Sequence, residues 1–190
     1  MNKLLHIIAA PRGADSRTLK VSHAFLDSFI KKYPSCHIEG LELFKETLPP
    51  LTLEVISGKY VLLGGRSLDE KLQNAWKDVE RYINQFLSAD LILISTPMWN
   101  FSIPYFLKQY IDIIVQPKYL FRYTDKGTVG LAADKKMVVV TSRGGDYTPG
   151  SPSAAYDYQE PYLRAIFGLC GIKGIIFVNA QPVDMGNALQ

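Results

Sequence analysis

Two hydrophobic periods alternate along this chain. Leu4–Ala10 (LLHIIAA) and Leu91–Ser95 (LILIS) are short apolar runs that predict strands buried on both faces. Met137–Thr141 (MVVVT), Gly174–Asn179 and the less regular His37–Phe44 predict three more strands. Between them the spacing becomes helical. Leu19, Phe25, Phe29 and Ile30, with Val21 and Ala24 beside them, predict a helix from Ser16 to about Lys32. Asp15 or Ser16 would cap it, and Tyr33-Pro34 stops it. Leu72, Ala75, Trp76, Val79, Ile83 and Phe86 form one face of a helix over Leu68–Ser88. Pro104–Val115, with its proline in the first turn, and Tyr158–Leu169 predict two further helices. Lys45–Ser67 holds Pro49-Pro50, Gly58 and Gly64-Gly65, fits neither period and is expected as a long irregular connection. Phe121–Leu131 contains Tyr123-Thr124-Asp125-Lys126-Gly127, a turn or hairpin.

Strand followed by helix, repeated, predicts an open parallel α/β sheet with helices on both faces. With no repeat or linker, residues 1–190 are expected to form a single domain. In such sheets ligands sit beyond the carboxyl ends of the strands.

Composition narrows the picture only slightly. A chain 47% hydrophobic and 21% charged builds a core and argues against disorder. The net charge of +3 comes without any run of five or more like charges, so no nucleic-acid partner is expected. Cys36 and Cys170 form no C-x-x-C pair, and His6, His23 and His37 have no metal spacing, so no metal is expected. The apolar N-terminal run is too short to span a membrane. The expected setting is the cytoplasm, with reduced thiols and no membrane partner.

The unusual residues fall in three loops, each after a strand. The first runs from Ala10 through Pro11-Arg12-Gly13 to Ser16-Arg17-Thr18. It enters a helix N-terminus, whose free N–H groups and dipole favour an anion such as phosphate. Neither a Rossmann G-x-G-x-x-G nor a P-loop signature is present. Read alone, this loop is more readily a plain capped helix than a phosphate site. The second, Pro97-Met98-Trp99-Asn100-Phe101, offers apolar groups to cover a flat ring and polar groups to pair with its edge. The third, Ser142-Arg143-Gly144-Gly145, lets a ligand approach bare backbone. One planar, phosphorylated ligand would account for all three, and FMN has that shape.

These residues resemble the FMN-dependent NADH:quinone oxidoreductases and azoreductases along nearly the whole chain, from about Leu4 to Val178. Pro97-Met98-Trp99-Asn100-Phe101 is similar to that family's flavin-ring motif, in which Tyr is common where Trp99 stands. Ser142-Arg143-Gly144-Gly145 matches its second flavin motif, and Ser16-Arg17-Thr18 falls at its phosphate turn. Phe121-Arg122-Tyr123-Thr124 and Pro161-Tyr162-Leu163 are also similar. The resemblance implies a flavodoxin-like three-layer αβα fold with five parallel strands in the order 2-1-3-4-5. It implies tightly bound FMN, with NADH or NADPH as co-substrate and two-electron, ping-pong transfer to quinones or to azo compounds that are cleaved. No catalytic side chain is then required, because the flavin carries the hydride. A homodimer with the flavin at its interface is implied, with Phe121 and nearby residues reaching the partner's site. Tyr147 and Phe167 are expected at the acceptor pocket. Ala10 stands where the family often has Ser, so its contact would come from backbone. Val183–Leu189 has room for only a turn or two of helix, leaving one sheet face for a partner to cover. A one-electron flavodoxin-type carrier and a non-enzymatic nucleotide-binding module are the alternatives. The mild positive charge and the Lys45–Ser67 stretch count against the carrier.

Overall fold

The computed structural model of the chain describes residues 1–184. Its strands are β1 (Lys3–Ile8), β2 (His37–Glu42), β3 (Leu91–Pro97), β4 (Phe121–Thr124), β5 (Gly127–Gly130), β6 (Lys136–Ser142) and β7 (Ile176–Ala180). Its helices are α1 (Arg17–Lys32), α2 (Leu53–Leu63), α3 (Glu70–Leu87), α4 (Tyr105–Ile114) and α5 (Glu160–Leu169). Five strands pair in parallel in the order β2-β1-β3-β6-β7, while β4 and β5 form a separate antiparallel hairpin. Leaving out that hairpin, the order is the expected 2-1-3-4-5.

Alternation along the central strands builds two cores. Leu5, Ile7, Ile92, Ile94, Met137 and Val139 point to the side covered by α2, α3, α4 and α5. Leu4, Leu91, Leu93, Val138 and Val140 point the other way, against Phe25 and Phe29 of α1. Such period-two sorting makes strands of these runs. On the α1 side of β7, Ile176 and Val178 are exposed. The short helix expected over Val183–Leu189 lies, beyond Asp184, outside the described residues. Among the described residues no helix is long and apolar enough to cross a membrane.

The expected irregular stretch Lys45–Ser67 contains α2. Thr52 caps it, its hydroxyl accepting from the Val55 N–H at 3.4 Å. Its apolar residues surround the axis instead of forming a stripe, because Val55 and Leu62 are buried while Leu53, Ile56 and Tyr60 are exposed. The proline pair before it and Gly58 within it imitate loop signals. Gly58 has a packing reason: a Cβ there would lie 2.2 Å from Trp76 Nε1 of α3.

Candidate functional site

The three loops meet at the carboxyl edge of β1, β3 and β6. They enclose a 200 Å³ cavity lined by Ala10, Ser16, Arg17, Thr18, Pro97, Met98, Trp99, Ser142 and Gly144, all expected from sequence, with Pro11, Arg12, Val183 and Asp184. The sheet register dictates this convergence, because Pro97 pairs with Ser142 at the end of the β3–β6 ladder.

At one end is the start of α1. The Ser16 hydroxyl accepts from the Leu19 N–H at 3.2 Å and caps the helix. The N–H groups of Arg17 and Thr18 have no acceptor among the described residues. They point out of a helix N-terminus, where an anion is stabilised. The Thr18 and Ser142 hydroxyls share a hydrogen bond of 2.6 Å that ties the first loop to the third. Arg17 forms an ion pair with Asp184.

The second loop is a tight two-residue turn. Trp99 and Ser102 exchange backbone hydrogen bonds of 2.9 Å in each direction. Asn100 and Phe101 between them have φ of 48° and 69°. This left-handed pair is the turn that matches strand twist, and Asn adopts it readily. For Phe101 it costs about 1–2 kcal/mol. The N–H groups of both residues have no acceptor among the described residues. The Met98 N–H donates to Ser142 O at 2.9 Å and joins this loop to the third. Trp99 packs edge-on to Phe44, and Phe101 stacks on Tyr156 with Tyr147 at its edge.

In the third loop the N–H groups of Gly144 and Gly145 likewise have no acceptor among the described residues. A Cβ on Gly144 would come within 2.9 Å of the Asp184 carboxylate, and one on Gly145 within 3.4 Å of the Tyr147 ring. Tyr147 therefore sits beside the site.

Packing turns three of the expected side chains inward. The Arg143 side chain is 1% exposed and turns away from the cavity toward Asp157. Phe167 is fully buried and stacks on Phe86 in the core. Phe121 is buried, whereas Tyr123, two residues on, is exposed. Asp184 was missed: no local pattern announces it, and it arrives because Val183 and Asp184 donate backbone hydrogen bonds to Arg143 O and Gly144 O.

Behind the anion end lies a buried polar chain. His6 Nε2 and Ser95 Oγ are 2.7 Å apart, Ser95 Oγ and Ser22 Oγ are 2.6 Å apart, and Ser22 donates to Thr18 O at 3.0 Å. Burial first, and His23 second, pull the His6 pKa from 6.5 down to about 4. The imidazole is therefore neutral near pH 7. On the other side of Trp99 and Asn100 opens a 730 Å³ groove walled by Leu51, Ile103, Pro104, Tyr105 and Tyr162.

Residues 2–189 match the family described as having a flavodoxin-like fold. An FMN-dependent NADH:quinone oxidoreductase of Nitratidesulfovibrio vulgaris strain DP4 is 36% identical over 186 residues, covering 98% of this chain and 89% of that protein. Among solved structures, an azoreductase from Bacillus anthracis strain Sterne superposes with a TM-score of 0.87 at 33% identity, covering 97% of this chain and 88% of the other. An FMN-dependent NADH-azoreductase from Bacillus anthracis strain Ames Ancestor, solved in complex with FMN, gives a TM-score of 0.84 at 33% identity, covering 97% and 89%.

Proposed function

Because the chain belongs to the flavodoxin-like family of FMN-dependent NADH:quinone oxidoreductases and azoreductases, we propose that its three-loop cavity holds FMN and that the protein reduces quinones and cleaves azo compounds at the expense of NADH. The observation that carries this reading is the meeting of three loops with free backbone N–H groups, among the described residues, at one sheet edge around a cavity walled by Pro97, Met98 and Trp99.

The donor set fits FMN. Arg17 and Thr18 N–H groups, the Ser16 and Thr18 hydroxyls and the Arg12 and Arg17 charges would hold the phosphate. Pro97, Met98 and Trp99 would cover a ring face, and the N–H groups of Asn100, Phe101, Gly144 and Gly145 would meet the ring edge. When bound, FMN supplies the two-electron chemistry between NADH and the acceptor. The protein contributes orientation and fixed dipoles: backbone donors held before reaction stabilise negative charge that develops near them. Ala10 offers no hydroxyl, so the first loop relies on Ser16 and Thr18.

Steady NADH consumption with benzoquinone by a yellow purified protein is the expected result; a colourless protein, or one that turns over no NADH, rejects the reading. In the same assay Asn100→Ala should weaken FMN binding about tenfold, because alanine tolerates the left-handed turn less well, at ~1 kcal/mol or more. Gly144→Val should act in the same direction by filling the approach to bare backbone. Full flavin content in both variants would move the cofactor elsewhere.

The working unit is a homodimer that covers the groove beside Trp99. Supporting this are Leu51 and Tyr105, which line that groove and are 38% and 63% exposed. Equilibrium sedimentation should give twice the chain mass, and Tyr105→Asp should lower it toward the monomer. A wild-type monomer at micromolar concentration would rule the dimer out.

A further inference from the structure

Arg143 belongs to the third loop, yet its charge is directed into the protein. A buried guanidinium persists only where carboxylates and hydrogen-bond acceptors compensate it. Its Nη1 donates to Asp157 Oδ2 at 2.8 Å, its Nε donates to Gln159 Oε1 at 3.2 Å, and its Nη2 lies 3.6 Å from Glu160 Oε2. Glu160 is held in turn by Arg164 and by the Asn179 amide of β7. Asp157 also accepts the N–H groups of Gln159 and Glu160 at 2.9 and 3.0 Å, which starts α5.

The same short segment grips the second loop at both ends. The Gln159 amide, fully buried, donates to Pro97 O at 2.9 Å, and the Tyr158 N–H donates to Phe101 O at 3.0 Å. Gln159 thus uses its oxygen toward one cofactor loop and its nitrogen toward the other. Resting on the FMN reading above, we infer that Arg143 and Gln159 are positioning residues, which lock the two ring-edge loops at a fixed separation without touching the flavin. The physical need is clear. Four free N–H groups sit on two separate loops, and dipoles stabilise developing charge only if their spacing is set beforehand. The left-handed φ of Phe101 is unfavourable for that residue, and the bond from the Tyr158 N–H to Phe101 O adds a restraint on it from outside the turn.

The test uses three variants. Gln159→Met removes both hydrogen bonds at nearly constant length. Gln159→Glu keeps an acceptor for Arg143 but loses the donor to Pro97. Arg143→Lys keeps the charge but cannot fork to several partners. FMN binding to the deflavinated full chain is followed by fluorescence, and the midpoint potential of bound flavin by redox titration. Both Gln159 variants are expected to bind FMN about tenfold more weakly, in line with a lost buried hydrogen bond. The reduced form should lose about a further tenfold, which moves the midpoint about 30 mV more negative. Arg143→Lys should shift the potential the same way by less, and it carries the test should the Gln159 variants fail to fold. A lower melting temperature with an unchanged potential means ordinary structural support and overturns the proposal. The site itself is judged separately by Asn100→Ala and Gly144→Val. If those two weaken FMN and the Gln159 variants do not, only the clamp fails. If none of them does, the FMN site is wrong.

Discussion

Truncating Trp76 to alanine should destabilise the protein by about 3–5 kcal/mol, the range for removing a large buried aromatic side chain. The indole is fully buried, donates from Nε1 to Val55 O at 3.0 Å, and stacks on Tyr119 at 6.0 Å between ring centroids. It is the pin between α3 and α2, and it requires the missing side chain of Gly58. Gly58→Val should act on the same contact from the other side, costing about 1–3 kcal/mol or more by overpacking. Urea unfolding of both single variants and the double variant would check this. Because the two changes share one contact, their effects should be less than additive. The consequence reaches the site, since the chain just before α2 supplies Leu51 to the groove beside Trp99. A Trp76→Ala protein as stable as wild type would show that α2 is held by something else.

Acidification should have the next largest effect. The folded protein lowers the His6 pKa from 6.5 to about 4, chiefly by burial. Between those values the unfolded chain binds a proton that the native state refuses. Stability is therefore fully present above about pH 6.5, falls as the pH drops through that window, and stops falling from this source below about 4. The loss by pH 4 should approach about 3 kcal/mol. Asp90 and Asp146, whose carboxyls are held below their usual range by hydrogen bonds from backbone N–H groups, add acid sensitivity only at lower pH. Denaturant midpoints at pH 7, 5.5 and 4.5 should fall steadily for the wild type. They should flatten over that range in His6→Gln, which keeps a polar partner for Ser95. Identical slopes in the two proteins would mean that His6 is not the group responsible. Protonation of His6 also disturbs the chain through Ser95 and Ser22 to the first turn of α1, so FMN affinity is expected to decline in the same window.

Much of the fold was readable one segment at a time. Leu4–Ala10 and Leu91–Ser95 read as short buried strands, and Leu72 to Phe86 as one face of an amphipathic helix. Their order required parallel crossovers. Helix α2 escaped because its apolar residues serve two surfaces, a core on one side and an exposed face on the other, so no single period dominates. Around the cavity, Ser16, Thr18, Asn100 and Gly144 could be named as candidates because each lies in a loop or helix start that follows a strand, and the sheet sets the direction of that strand.

What the sequence alone determined is the alternation of two hydrophobic periods, and with it a parallel sheet whose loops gather at one edge. That information is local, because a strand or helix period is written within a few residues. The tertiary structure alone decided that Arg143 turns inward to Asp157 and Gln159, that Phe167 is spent on Phe86, and that Asp184 returns to meet Arg17. Each of those outcomes depends on a partner distant in the chain or on another element, so a side chain's direction was settled only when the packed sheet had brought both groups together.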